Sequence, residues 1–153
     1  MPMIREGTRD DIPFCAAIIA DSFLWRSFDR TVEHAVDVLT SSFAPGQRLF
    51  VHEDGGRPDG FVIVYERGMM GEFGYIRLIG VSSSKRGQGI GTRLLEAAET
   101  HLFTLSPFVF LTVTDFNTNA RKLYEHLGYE RIGDIPDYRR QGTSEFLYLK
   151  RRV

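Results

Sequence analysis

The 153 residues suffice for one domain with a buried core, and a composition of 42% hydrophobic and 25% charged residues is ordinary for a globular protein. A net charge of −1 gives no reason to expect bulk electrostatic binding to nucleic acid, and the single Cys15 excludes an internal disulfide framework. No apolar run approaches the roughly 20 residues of a membrane span. The sequence therefore predicts one soluble, cytoplasmic domain over residues 1–153, with neither nucleic acid nor membrane as partner.

The first half of the chain predicts a strand, two helices and three further strands. Apolar residues at helical spacing predict one helix from Ile12 to about residue 24 and a second from Val32 to Phe43. Apolar runs between turn residues predict strands at residues 3–5, 48–52, 60–65 and 73–81. Strict alternation in the last strand would place these side chains on one face, unless a bulge intervenes: Phe73, Tyr75, Arg77, Ile79 and Val81.

The second half predicts a helix, a strand, a helix and two closing strands. A helix follows residue 91, and the apolar run at 108–113 is a strand, so the preceding strand, this helix and this strand favour a right-handed parallel crossover. Asn117 can cap a short helix that stops at Gly128, and strands follow at 129–135 and 146–149. The predicted order is β-α-α-β-β-β-α-β-α-β-β, an α/β fold with a mixed sheet.

The glycine-rich segment from Lys85 to Thr92 lies between a predicted strand and a predicted helix. Glycine lets the backbone turn tightly and approach a ligand, and a helix N-terminus attracts phosphate or pyrophosphate. The alternative is a simple turn. No lysine follows Gly91, which excludes a nucleotide-triphosphate loop, and the glycine spacing does not fit a dinucleotide fold.

Other common catalytic patterns are not present. The four histidines are scattered, so no metal site is expected. The serine run at 82–84 lacks the sequence of a nucleophile elbow. The glycine-rich segment is therefore the main sequence signal for function.

Two motifs give the chain a resemblance to the GCN5-related N-acetyltransferase (GNAT) superfamily. The acetyl-CoA loop of that family reads Arg/Gln-x-x-Gly-x-Gly/Ala, which Arg86, Gly89 and Gly91 match. The second motif, Asn-x-x-Ala-x-x-x-Tyr followed by Leu-Gly-Phe/Tyr, is matched in order by Asn117, Ala120, Tyr124, Leu127, Gly128 and Tyr129. The resemblance covers nearly the whole chain by element order and implies the GNAT-like fold, with acetyl-CoA as co-substrate.

The resemblance implies where acetyl-CoA binds. Backbone N–H groups of the loop would hold the pyrophosphate, from these residues: Arg86, Gly87, Gln88, Gly89, Ile90, Gly91 and Thr92. The main chain of Ile79, Gly80 and Val81 would run along the pantetheine arm, with the Val81 N–H polarising the thioester carbonyl. Asn117 would contact the pantetheine or position it, and can be a helix N-cap at the same time.

The resemblance also implies a general acid, and it leaves the general base open. Spacing alone places Tyr124 in the core, whereas in the family a tyrosine at this position gives a proton to the departing thiolate. Tyr75 occupies the strand position at which some relatives have a base, but its neighbour on the next strand is Thr112, which is no base. The candidates are therefore water relayed from Tyr75, or the carboxylate of Glu72, which is otherwise a solvated charge.

The acceptor is expected to be a primary amine, either a small amine or a protein N-terminus or lysine. Trp25, in the aromatic connector at 23–28, and Tyr138, in the last hairpin loop, are candidate acceptor contacts. Packing is the alternative for Trp25. Two other functions stay open: a transferase that uses another acyl-CoA, and an acyl-CoA-binding regulatory module. Dimers are common in the family, so a homodimer is left open.

Overall fold

The structure, a computed structural model, describes residues 1–153. It contains five helices: α1 (Ile12–Ala20), α2 (Phe23–Ser27), α3 (Val32–Ser41), α4 (Ile90–Leu102) and α5 (Thr118–His126). It contains seven strands: β1 (Met3–Glu6), β2 (Gln47–Asp54), β3 (Arg57–Met69), β4 (Phe73–Val81), β5 (Phe108–Thr114), β6 (Glu130–Pro136) and β7 (Ser144–Arg151). Two 3₁₀ turns lie at Arg9–Asp11 and Ser83–Lys85.

The strands form one sheet in the order β1-β2-β3-β4-β5-β7-β6. Only β4 and β5 pair in parallel, and the other pairs are antiparallel. Helix α4 connects the parallel pair, which confirms the predicted crossover and the mixed α/β class. The element order is also as predicted, apart from one additional short helix.

The additional helix is α2, in the connector between the two predicted helices. The first helix ends at Ala20 instead of residue 24. Ser22 then caps a new turn of helix, because its hydroxyl accepts a hydrogen bond of 3.1 Å from the Trp25 N–H. The aromatic connector is thus helical. Helix α3 ends at Ser41, before the predicted end at Phe43.

The strand predicted at residues 60–65 is longer in the structure, where it spans Arg57–Met69. Strand β3 continues through Gly68 to Met69, so the turn is confined to residues 70–72. Gly68 is needed here because the side chains of Tyr65 and Tyr75 occupy the space beside it. A methyl group added to Gly68 would lie within 2.8 Å of both of their Cβ atoms.

Apolar side chains cover both faces of the sheet. Helices α4 and α5 cover one face, where Leu94, Leu95 and Tyr124 belong to a single buried cluster with side chains of β3, β4 and β5. Helices α1 and α3 cover the opposite face with a second cluster that includes Ala35, Leu39 and Phe61. These two layers hold the central strands on both sides. No helix is both long and apolar enough to span a membrane.

The alternation predicted for β4 is interrupted by a bulge at Arg77. Ile63 and Val64 are consecutive in β3, yet they pair with Leu78 and Ile76, so Arg77 is an extra residue. Ile76 therefore faces α4, whereas Leu78 packs against the α1–α3 cluster. Tyr75 and Val81 do not share a face, which corrects the expectation from strict alternation.

Candidate active site

Strands β4 and β5 separate after a short paired segment. Pairing joins Gly74–Ile76 to Val109–Leu111 only, although β4 continues to Val81 and β5 to Thr114. Beyond the bulge, residues 78–81 of β4 are paired with β3 alone. The sheet therefore contains a wedge-shaped opening between its two parallel strands.

The backbone of β4 presents unpaired polar groups to this opening. The Ser82 N–H donates to the Asp59 carbonyl of the neighbouring β3 strand at 2.8 Å. Because hydrogen-bonding direction alternates along an antiparallel pair, the N–H groups of Ile79 and Val81 point the other way, into the opening. An extended ligand could pair with them as an added strand would.

The glycine-rich loop follows this edge after the 3₁₀ turn at Ser83–Lys85 and provides a row of free N–H groups. No N–H group from Arg86 to Thr92 donates a hydrogen bond within the protein. Gly87 and Gly89 have φ angles of +78° and +79°, and Gly89 is the N-cap of α4 in the left-handed conformation. The free N–H groups and the positive end of the helix dipole together have the chemistry that favours an anion.

The start of α4 lies close to the sheet and to α5. A methyl group built on Gly60 would lie 3.0 Å from Ile90, so the absence of a side chain there lets the helix approach β3. A methyl group on Gly91 would lie 3.8 Å from Leu123 and 3.9 Å from Val81. The end of β4, the start of α4 and one face of α5 therefore meet at one point.

Tyr124 lies on α5 beside this junction, among three packed tyrosines. Its ring centroid is 6.0 Å from that of Tyr129 and 6.5 Å from that of Tyr148. The other two hydroxyls are anchored: Tyr129 donates to Glu99 at 2.8 Å, and Tyr148 donates to Glu125 at 2.7 Å.

The Tyr124 hydroxyl alone has no partner within the protein. The residue is 7% exposed, and its hydroxyl oxygen retains some access to solvent. Burial raises the pKa of Tyr124 to about 12, so the phenol stays protonated at neutral pH. The hydroxyl is available as a proton donor to a ligand.

Asn117 occupies the N-cap of α5, but its side chain makes no capping hydrogen bond. Its carbonyl accepts the first helical bond, from the Arg121 N–H at 3.1 Å. The predicted position at a helix start is therefore correct, while the side-chain amide remains free for another partner.

The two candidate bases lie in different environments. Tyr75 is half-buried in β4, and its hydroxyl lies 3.4 Å from the Thr112 hydroxyl across the paired end of the opening. Glu72 is exposed in the β3–β4 turn, roughly 30 Å along the strand from Val81. Tyr75 is thus the candidate that lies beside the opening.

The candidate acceptor contacts also differ. Trp25 is buried, and its indole N–H donates to the Thr31 carbonyl at 3.0 Å, so it packs beneath its segment instead of facing a ligand. Tyr138 is 57% exposed in the β6–β7 loop. The aromatic groups that α2 does present are Phe23 and Phe28, whose rings contact Phe116 at centroid distances of 6.3 Å and 6.1 Å.

Three arginines near the opening are not marked as a group by any sequence motif. They are Arg30, Arg77 and Arg139, and all three side chains are half-buried. Burial and the positive charges of Arg139 and Arg77 lower the pKa of Arg30, and the β6–β7 loop contacts the segment before Arg30 through the donation of Arg140 to the Ser27 carbonyl at 2.9 Å. The three arginines come from the α2–α3 connector, the β4 bulge and the β6–β7 loop. No local sequence pattern joins three such segments. No group of three or more His, Cys, Asp or Glu side chains converges on a common point.

Two curated proteins are similar to part of this chain in sequence. An uncharacterized N-acetyltransferase of Methanocaldococcus jannaschii is 33% identical over 97 residues, which are 61% of this chain and 62% of that protein. N-alpha-acetyltransferase 40 of Saccharomyces cerevisiae is 43% identical over 70 residues, 40% of this chain and 25% of that protein. The matched segments thus span less than two thirds of either curated relative.

The fold has a close structural counterpart in an aminoglycoside 6′-N-acetyltransferase complexed with coenzyme A. The two superpose with a TM-score of 0.78 at 17% identity, over 99% of this chain and 97% of the other. The sequence profile of the acetyltransferase (GNAT) family matches residues 15–129. The chain belongs to the GNAT family.

Proposed function

We propose that this protein is an acetyl-CoA-dependent N-acetyltransferase that transfers the acetyl group directly to a primary amine in a ternary complex. One observation carries the proposal: the unpaired edge of β4 is followed, after one 3₁₀ turn, by seven unpaired N–H groups, from Arg86 to Thr92. This continuous track suits a long ligand with an amide-containing arm and a pyrophosphate. GNAT membership supports the same assignment.

The residues of the track fit acetyl-CoA, which supplies an acyl thioester. Methyl groups built on Gly87 and Gly89 meet no atom within 4 Å, so the loop leaves space above its backbone. In this proposal the loop N–H groups bind the pyrophosphate and the Arg86 guanidinium adds positive charge. The free Asn117 amide contacts the pantetheine arm.

Two groups act on the thioester itself. The Val81 N–H points into the opening and polarises the carbonyl oxygen as negative charge develops there. The amine nitrogen attacks the carbonyl carbon, the new C–N bond forms, and the C–S bond breaks. Tyr124 donates its phenolic proton to the departing sulfur and is later reprotonated from solvent, while the amine loses its proton to the base.

We expect the base to be a water molecule held by Tyr75, not the exposed Glu72. A Tyr75→Phe variant should lose about 10²-fold in kcat and change the acidic limb of its pH–rate profile, because general-base catalysis contributes on that order. Glu72→Gln is the matched comparison and should leave both quantities near those of the unmodified protein. A larger loss in Glu72→Gln than in Tyr75→Phe would reverse the assignment.

In this proposal the acceptor amine reaches the opening between β4 and β5 from the side of the sheet on which α1 and α3 pack. Tyr75 lies on that side, and the β6–β7 loop with Tyr138 borders it. A small amine, a protein N-terminus and a lysine side chain all have the required nucleophile. The similarity to an N-alpha-acetyltransferase supports a peptide N-terminus among these candidates. Tyr138, exposed at the rim, is the proposed acceptor contact from the β6–β7 loop.

A thiol-release assay with a panel of acceptors tests the proposal. The expected result is free CoA from acetyl-CoA in the presence of a primary amine or peptide, with an equimolar acetylated product detected by mass spectrometry. Propionyl-CoA and succinyl-CoA serve as alternative donors, and a faster reaction with either would replace acetyl-CoA in the proposal. Tight acetyl-CoA binding without turnover on any acceptor would instead indicate a regulatory binding module.

A further inference from the structure

Three arginines gather at the acceptor side of the opening, and we call them the arginine cluster: Arg30, Arg77 and Arg139. The β6–β7 loop that carries Arg139 contacts the segment just before Arg30, because the Arg140 guanidinium donates to the Ser27 carbonyl at 2.9 Å and lies 5.2 Å from the Phe28 ring centroid. In agreement, burial and the positive charges of Arg139 and Arg77 lower the pKa of the Arg30 guanidinium. The Arg139 guanidinium also lies 5.5 Å from the centroid of the Tyr138 ring. The cluster therefore borders the proposed acceptor contact.

The positive charge of the cluster is only partly compensated. Arg139 pairs with Glu145, whose carboxylate oxygen lies 3.2 Å from the Arg139 Nε. Arg30 stacks over the Trp25 ring at 5.5 Å and has no ion pair, and Arg77 has neither an ion pair nor a side-chain hydrogen bond. Glu145 pairs with Arg139 alone, so the guanidinium groups of Arg30 and Arg77 have no paired carboxylate within the protein.

The position of Arg77 in β4 directs it to the acceptor side of the sheet. Arg77 lies two residues after Tyr75, whose side chain is on the α1–α3 face, so alternation directs it to the same face. As the extra residue of the bulge it has no partner in β3, and Leu78 after it also packs against the α1–α3 cluster. Arg77 lies at the point where β4 and β5 begin to separate, so its guanidinium lies beside the path by which an amine would reach the thioester.

The cluster is separate from the pyrophosphate site. Arg77 lies about 13 Å along the strand from Val81, and the glycine-rich loop begins beyond Val81. The cluster also lies on the face of the sheet opposite α4, whose N-terminus forms the anion site. Its charges are therefore directed at the acceptor and not at the phosphates of the donor.

We propose that the arginine cluster binds a carboxylate of the acceptor, so that the preferred substrate is a primary amine with an acidic group nearby. The inference rests on the proposed N-acetyltransferase function and names its substrate class. Guanidinium groups bind carboxylates through paired, charge-assisted hydrogen bonds, and two half-buried arginines without partners supply such donors. The carboxylate can belong to an acidic side chain of a protein N-terminus or to the α-carboxylate of a small amino acid.

Matched acceptors test this inference with the full chain and saturating acetyl-CoA. Three peptides with the same sequence and a free N-terminus would carry Glu, Gln or Lys at the second position, and a second arm would compare a free amino acid with its amide. We expect kcat/KM to be about tenfold higher for the acidic member of at least one arm, as one charge-assisted contact provides. The arm that shows the preference identifies the source of the carboxylate.

Variants of the cluster assign the preference to these residues. Arg77→Gln and Arg30→Gln should each reduce the acidic-to-neutral ratio to about twofold while the KM for acetyl-CoA stays constant, and Arg77→Lys should keep part of the ratio. Arg26→Gln is the charge-matched control, since Arg26 is an exposed arginine of α2 outside the cluster, and it should keep the full ratio. Melting temperatures show that each variant is folded.

The outcomes separate the two proposals. Equal or better turnover of neutral and basic acceptors, or a preference that survives both glutamine variants, would overturn the carboxylate site and leave the N-acetyltransferase function intact. If no amine in either arm releases CoA although acetyl-CoA binds, the proposed function itself fails. A preference that is lost in the glutamine variants and kept in Arg26→Gln supports the inference.

Discussion

Tyr124→Phe is expected to lower kcat by about 10²-fold or more while the KM for acetyl-CoA changes by less than about threefold. Loss of a positioned general acid has an effect of this order, because the sulfur would then depart without a proton. The ring would stay in its packed position beside Tyr129 and Tyr148, so the binding surface would be little altered. Steady-state kinetics with any accepted amine measure both quantities.

The neighbouring tyrosines provide matched controls for this substitution. Tyr129→Phe and Tyr148→Phe remove hydroxyls that donate to Glu99 and Glu125. Tyr129→Phe should reduce the free energy of unfolding by about 1–3 kcal/mol, since the buried Glu99 carboxylate loses a donor. Tyr148→Phe should cost less, about 0.5–1.5 kcal/mol, because its partner Glu125 is exposed to solvent. Both variants should leave kcat near its original value. Urea denaturation and steady-state kinetics should therefore show a loss of kcat with little loss of stability for Tyr124→Phe. They should show a loss of stability with little loss of kcat for the other two variants. Unchanged kcat in Tyr124→Phe would remove it from the mechanism.

Gly89→Ala is expected to raise the KM for acetyl-CoA by about tenfold or more. An alanine at a φ of +79° is strained by about 1–2 kcal/mol, and relief of that strain would turn the free N–H groups of the loop away from the anion site. The kcat at saturating acetyl-CoA should change less, because Tyr124 and Val81 lie outside the loop. Isothermal titration with CoA gives an independent measure of the same loss.

Gly56→Ala is the control with the same backbone strain away from the site. Gly56 has a φ of +78° in the two-residue turn between β2 and β3, and like Gly89 it has no atom within 4 Å of an added methyl group. Both variants should lose similar amounts of stability, by about 1–2 kcal/mol. Only Gly89→Ala should weaken CoA binding, and equal binding losses in both would show that the effect is general destabilisation.

The order of the elements could be predicted because periodicity and turn residues are local properties of the chain. Strand β4 was predicted with its observed bounds, and the crossover through α4 was confirmed. The errors fall where local patterns compete: Ser22 caps a new helix in the aromatic connector, and β3 continues through Gly68. The two motifs placed the glycine-rich loop and Tyr124 in the correct elements.

The sequence by itself determined the fold class, the position of the glycine-rich loop at the start of a helix and the position of Tyr124 on a short helix. Tertiary structure alone decided three matters: the bulge at Arg77, the separation of β4 from β5, and which of three packed tyrosines has a free hydroxyl. The arginine cluster is likewise a feature that only the tertiary structure shows. The physical reason is that strand register, hydrogen-bond partners and charge proximity join segments far apart in the chain, whereas composition and spacing record only neighbours.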